Sequence, residues 1–209
     1  MEQHGFHFDT KRCTGCKTCM LSCKDYHDLD PSVSFRQVYE FAGGEWVQDQ
    51  DGLWRQDCFA FYVSSACNHC SSPACMEVCP TGAMHKNERG LVCVDDHRCI
   101  GCGYCALSCP YHAPRVDRSV GHSVKCDGCS DRVDQGLAPI CVEACPLRAL
   151  DFGLMVDMRK RYGALADLPP LPDSGQTAPN LTITPPICME KNKETVLAQG
   201  FVRNKREIV

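Results

Sequence analysis

No run of roughly eighteen apolar residues occurs in this chain of 209 residues, so no segment reads as a membrane-spanning helix. Leu, Ile, Val and Phe together make up only about a fifth of the chain, near the composition at which a sequence struggles to enclose a core. No lysine- and arginine-rich tract interleaves with aromatics, and the formal net charge is -4, which excludes the usual nucleic-acid footprint. The N-terminus, "MEQHGFHFDTKRC", has neither the apolar stretch nor the cleavage site of a secretory leader, so a disulfide framework is not expected. No Ser/His/Asp grouping, phosphate-cradling glycine loop or paired carboxylate stands out. Substrate chemistry is therefore expected in another chain.

Cysteine is the opposite case. The chain has 19, and all but Cys58, Cys93 and Cys188 fall into four groups of four. Cys13, Cys16, Cys19 and Cys23 stand in "CTGCKTCMLSC", and Cys99, Cys102, Cys105 and Cys109 in "CIGCGYCALSCP"; both follow the C-x2-C-x2-C-x3-C run of bacterial ferredoxins. Cys67, Cys70, Cys75 and Cys79 are spaced slightly wider, and Cys126, Cys129, Cys141 and Cys145 carry a longer insertion. Pro80, Pro110 and Pro146 follow the last cysteine of three motifs, fixing φ where the chain turns away; the first motif has Lys24 there.

Such runs wrap three thiolates round one face of a four-iron cubane, so up to four 4Fe-4S clusters are expected. Zinc knuckles would use separate pairs of cysteines, a pattern that only the fourth motif approaches. With so little apolar material, cluster binding is expected to couple to folding and to leave the apoprotein largely disordered. Lys11, Arg12, Lys17, Lys24, Arg98, Arg115, Lys125 and Arg148 lie beside the motifs, where they either offset cluster charge or serve solubility. His69 and His122 are expected to act structurally or on the ligands rather than as ligands. Cys58, Cys93 and Cys188 are excluded from ligation, Cys93 as a small buried hydrophobe and Cys188 as an oxidisable tail residue.

The segments "GFHFD", "AMHK", "LVCVD" and "ALDFG" read as short strands bracketing the cysteines, with short helices or turns after Cys23, Cys79, Cys109 and Cys145. The expected fold is α+β, with two nested ferredoxin-like units. Residues 1–29 with 118–153 form one unit from the first and fourth motifs, and residues 59–117 form the other. An insertion, 30–58, holds Tyr39, Phe41, Trp46 and Trp54, expected to make a packing patch or, as the alternative, a surface that meets a partner. Residues 154–209 are expected to give a helix and then a Pro-rich tail, running extended over the body or a partner.

On "RCTGCKTCMLSCKDYHDL", "VSFRQVYEFAGGEW", "CNHCSSPACMEVCPTGAMHK", "CIGCGYCALSCPYHAP" and "KCDGCSDRVDQGLAPICVEACPLRALDFG", the sequence resembles the four-cluster electron-transfer subunits of the molybdopterin oxidoreductase superfamily. Within it, the B subunits of anaerobic dimethyl sulfoxide reductases are most similar; the match covers about residues 5 to 155. The resemblance implies crossed ligand sets: Cys13, Cys16, Cys19 with Cys145; Cys23 with Cys126, Cys129, Cys141; Cys67, Cys70, Cys75 with Cys109; and Cys79 with Cys99, Cys102, Cys105. In the related nitrate reductase subunit a tryptophan stands at the position of Cys102 and a three-iron cluster results.

The same resemblance implies a relay from a quinol-oxidising, integral-membrane anchor subunit to a molybdopterin catalytic subunit that reduces dimethyl sulfoxide or related S- and N-oxides in anaerobic respiration. This chain would be non-catalytic, part of a heterotrimer, and peripheral on the bacterial inner membrane through its partners. Co-export with the catalytic subunit favours the periplasmic face over the cytoplasmic one. The alternatives are the same relay in a polysulfide, tetrathionate, selenate or formate system, a free-standing polyferredoxin, and a zinc-binding interaction module.

Overall fold

The computed structural model describes residues 2–208. Along the chain, β1 (His4–Asp9) leads into α1 (Thr18–Tyr26), followed by β2 (Gln37–Gly43), β3 (Trp46–Gln48), β4 (Trp54–Gln56) and β5 (Phe59–Ser65). Next come α2 (Ala74–Glu77), β6 (Met84–Lys86), β7 (Val92–Val94), α3 (Tyr104–Ser108), β8 (Arg115–Asp117) and β9 (His122–Val124). Then α4 (Ser130–Asp134), α5 (Ile140–Glu143), β10 (Leu150–Leu154) and α6 (Met155–Tyr162) lead to the tail, which adds β11 (Leu181–Thr184), α7 (Ile187–Lys191), α8 (Lys193–Gln199) and β12 (Phe201–Val202). The fold is a mixed α and β one built on small sheets.

The apolar alternation of "GFHFD" makes β1 a central strand with Phe6 and Phe8 buried. It pairs antiparallel with β10, Phe6 opposite Phe152, and parallel with β11, Phe6 opposite Leu181. The strand before the first motif and the strand after the fourth are thus neighbours. A second sheet, in the order β12, β2, β5, packs Val38, Phe41, Phe61 and Val63 onto the same core. Burying each such side chain contributes about 1.5–3 kcal/mol. The hairpins β6–β7 and β8–β9 flank the second and third motifs.

Turns follow Cys79, Cys109 and Cys145, and α1 runs on past Cys23 into a turn, as expected; the helices α1, α2, α3 and α5 themselves contain the third cysteine of each motif. Two expectations are corrected by the structure. The aromatic patch divides: Phe41 is buried, whereas Trp46 and Trp54 are 63% and 62% exposed. They sit on β3 and β4, which form an isolated two-stranded ribbon that no other described strand extends. The tail is not extended: a turn at Pro169–Pro170 and a 3-10 turn at Ser174–Gln176 bend its Pro-rich part. Beyond it, "KETVLAQ" lacks proline, is rich in helix formers and buries Val196 completely, so α8 forms.

The tail also holds the second motif. Ser71 and Ser72 donate backbone N–H bonds to Ala178 and Thr177 at 2.8 and 3.1 Å. Asn180 Nδ2 donates to the His69 carbonyl at 2.8 Å, and Asn180 N to the Asn68 carbonyl at 3.0 Å. Asn180 precedes β11, so one segment ties the second motif to the sheet of the first and fourth.

Candidate metal centres

The spacing of each motif sets the local backbone. In all four, the third cysteine is the second residue of a short helix: Cys19 in α1, Cys75 in α2, Cys105 in α3 and Cys141 in α5. The fourth cysteine comes four residues later, still within α1 for Cys23 but just past the helix end for Cys79, Cys109 and Cys145.

The residue before the second cysteine is left-handed in every motif. Gly15, Gly101 and Gly128 have φ of 71°, 67° and 79°, and His69 holds the same position at 44°. Only glycine adopts this region freely. His69 is held there by burial, by the Asn180 bond to its carbonyl, and by its Nδ1, which accepts the Val92 N–H at 3.0 Å.

Three small cavities open among the cysteines. Cys13, Cys16 and Cys19 line the first together with Cys145. Cys67, Cys70 and Cys75 line another with Cys109, and Cys79 lines the last with Cys99, Cys102 and Cys105. The remaining four, Cys23, Cys126, Cys129 and Cys141, are buried side by side. Cys58 is exposed, while Cys93 on β7 and Cys188 on α7 are half-buried.

Polar groups face the sulfurs. Backbone N–H groups of Gly128, Ala149 and Ser123 point at the Sγ atoms of Cys126, Cys145 and Cys99 at 3.4, 3.3 and 3.3 Å. Ser64 Oγ lies 3.4 Å from Cys19 Sγ, and His27 Nε2 lies 3.5 Å from Cys129 Sγ. Burial pushes the Cys13, Cys70 and Cys129 thiols up to about 11, and Cys23 and Cys75 to about 12. At Cys67 burial also pushes upward, but the neighbouring His69 and Lys125 outweigh it and bring the thiol to about 6.

The donor sets suit a cluster: each groups four cysteines, the usual ligands of a 4Fe-4S centre, with His27 and Asp127 standing beside Cys129 in the second set.

Residues 58–155 match the 4Fe-4S dicluster domain. Over the full length of both sequences, the protein is 54% identical to the B subunit of the anaerobic dimethyl sulfoxide reductase of Haemophilus influenzae. The protein belongs to the family of anaerobic dimethyl sulfoxide reductase B subunits. It is equally 54% identical to the Escherichia coli subunit of the same name, over 99% of this sequence and 98% of that one. A more distant relative is the B subunit of the polysulfide reductase of Wolinella succinogenes, 36% identical over 88% of this sequence and 95% of its own. Iron–sulfur clusters of the 4Fe-4S type are thus the cofactor.

Two residues of the site carry no signal in the sequence. Arg36 lies in the insertion, remote in sequence from every cysteine, yet is buried beside Cys19, Cys23, Cys126 and Cys141. Ser64, on β5, bonds both Arg36 and Cys19. Only the pairing of β2 with β5 brings them there. Lys125 is visible in the sequence beside the fourth motif, but nothing around it signals its burial.

Proposed function

We propose that this chain relays electrons through four 4Fe-4S clusters from a quinol-oxidising membrane anchor to a molybdopterin catalytic subunit that reduces dimethyl sulfoxide or related S- and N-oxides. The observation that carries the reading is that each of three cavities is lined by three cysteines of one motif and one of another, in the ferredoxin manner. In this reading Cys13, Cys16, Cys19 and Cys145 hold one cluster, and Cys23, Cys126, Cys129 and Cys141 a second. Cys67, Cys70, Cys75 and Cys109 hold a third, and Cys79, Cys99, Cys102 and Cys105 a fourth.

Each bound cluster supplies a one-electron carrier of adjustable potential. The protein's own residues fix the spacing of the sites, shield them from water and offer hydrogen bonds to the thiolates. The first and fourth motifs form one ferredoxin-like unit across the sheet β10, β1, β11, within which the unit of the second and third motifs is nested in sequence. No helix among the described residues is long and apolar enough to cross a membrane, so attachment would come through the anchor in a heterotrimer. The chain itself performs no substrate chemistry.

The test is isolation of the complex under anaerobic conditions. Co-purification with a molybdenum-containing subunit, and quinol-dependent reduction of dimethyl sulfoxide, are expected. The relationship to the polysulfide reductase subunit favours a second reading, a sulfur-compound reductase. Quinol-dependent turnover of polysulfide with none of dimethyl sulfoxide decides for it.

A further inference from the structure

Arg36 is 3% exposed. Its Nη1 donates to Ser64 Oγ at 3.1 Å, and Ser64 Oγ lies 3.4 Å from Cys19 Sγ on the wall of the first cavity. The guanidinium carbon stands 4.9 Å from the centre of the Phe6 ring. Its Nε and Nη2 are buried and find no acceptor among the described residues. The groups that act on it most are cysteines that would be thiolates once they hold a cluster: Cys141 of one set, Cys19 of the other, then Cys126 and Cys23 with Cys141. A buried guanidinium cannot shed its proton, so its charge requires an anionic partner. Here that partner comes from two sets.

Lys125 repeats the arrangement one step along. It is 5% exposed, its Nζ donates to the Val92 and Cys126 carbonyls, and the cysteines that act on it are, in order, Cys67 of the third set, Cys126 of the second, Cys93 of no set and Cys75 of the third. Arg36 is thus tied through Ser64 to the first set and acted on by cysteines of the second, and Lys125 is bonded to the backbone of the second set and acted on by cysteines of the third.

We propose that Arg36 and Lys125 are junction charges that set the potentials of adjacent clusters in pairs, with Arg36 raising together the potentials of the first and second clusters. The inference rests on the cluster reading above. An electron arriving at either cluster adds negative charge. A cation close to both stabilises that reduced state on each and offsets the repulsion between electrons on neighbours. The unmatched Nε–H and Nη2–H supply the hydrogen bonds through which a guanidinium acts at short range.

The experiment is a redox titration, followed by electron paramagnetic resonance, of the anaerobically purified protein carrying its native iron and acid-labile sulfide. In Arg36→Gln, two midpoint potentials should fall, those of the signals that Cys13→Ser and Cys126→Ser abolish, while the other two hold. Arg36→Lys should keep both near the native values. Lys125→Gln should lower the Cys126 signal together with the Cys67 signal. No shift, a shift at one cluster only, or an equal shift at all of them overturns the inference.

Should Arg36→Gln fail to retain iron, the native protein labelled with nitrogen-15 arginine serves instead. Pulsed resonance should detect nitrogen coupled to those two reduced signals, and its absence overturns the inference. A native protein lacking four clusters' worth of iron sinks the cluster reading itself, a separate result.

Discussion

Cys19 and Cys23 lie four residues apart on one helix, yet Cys19 lines a cavity together with Cys145 while Cys23 is buried near Cys129 and Cys141. In the proposed arrangement the two serve different clusters, and the fourth motif supplies a ligand to each. Replacing Cys23 and replacing Cys126 should therefore perturb one and the same paramagnetic signal, whereas replacing Cys145 should perturb the signal shared with Cys13. A Cys23 variant whose altered signal matches that of the Cys13 variant would mean that each motif serves its own cluster.

Anaerobic reconstitution should give about sixteen irons per chain, with equimolar acid-labile sulfide, because each of four cubanes takes four. Serine at Cys58, Cys93 or Cys188 should leave that count unchanged. Loss of one cluster's iron from any of the three variants would show that the ligand sets are misassigned.

Cys102 lines the cavity it shares with Cys79, Cys99 and Cys105, and it is exposed. Cys102→Ser should convert that cluster to a three-iron form or lose it. Quinol-driven substrate reduction should then fall by at least tenfold, while reduction driven by a dye that feeds the catalytic subunit directly persists. An equal fall in both, with the complex intact, contradicts the relay.

Iron loading should depend on pH. Burial holds Cys13 and Cys129 at about 11 and Cys23 and Cys75 at about 12, so these thiols are protonated at neutral pH and must release protons to bind metal. Raised values of this kind favour the metal-free fold below about pH 8.5, where thiols are neutral in the unfolded chain as well, and cost it stability as pH climbs toward the raised values. Reconstitution followed by absorbance should thus release protons and proceed further at pH 8.5 than at pH 7. Identical loading at both would show that the thiols ionise before metal arrives.

Asn180→Ala removes the donor to the His69 carbonyl and leaves a buried acceptor unmatched, at a cost of about 1–3 kcal/mol. The thermal midpoint should drop, and the cluster of Cys67, Cys70, Cys75 and Cys109 should be the first lost on mild chelation. Uniform loss from all four sites would place the role of Asn180 in general stability alone.

The cysteine spacing makes the cofactor class and the short strands round each motif legible, because cluster ligation fixes local geometry within a dozen residues. The left-handed residue before each second cysteine is half visible: glycine marks it in "CTGC", "CIGC" and "CDGC", but in "CNHC" His69 takes the same conformation with tertiary support. Arg36 is not legible, since nothing in "VSFRQVYEF" distinguishes a buried cation from a solvated one until β2 pairs with β5. Trp46 and Trp54 mislead for the complementary reason. Among the described residues their ribbon has no neighbouring strand to extend it, and composition alone does not reveal which strands stand unaccompanied.

The pairing of β1 with both β10 and β11 also orders events during synthesis. Cys13, Cys16 and Cys19 leave the ribosome first, yet the wall that completes their cavity arrives with Cys145, and the outer strand beside β1 arrives with Leu181–Thr184. In the proposed arrangement the site of Cys13, Cys16 and Cys19 is closed only after the second and third motifs have emerged, so cofactor insertion there must wait for Cys145.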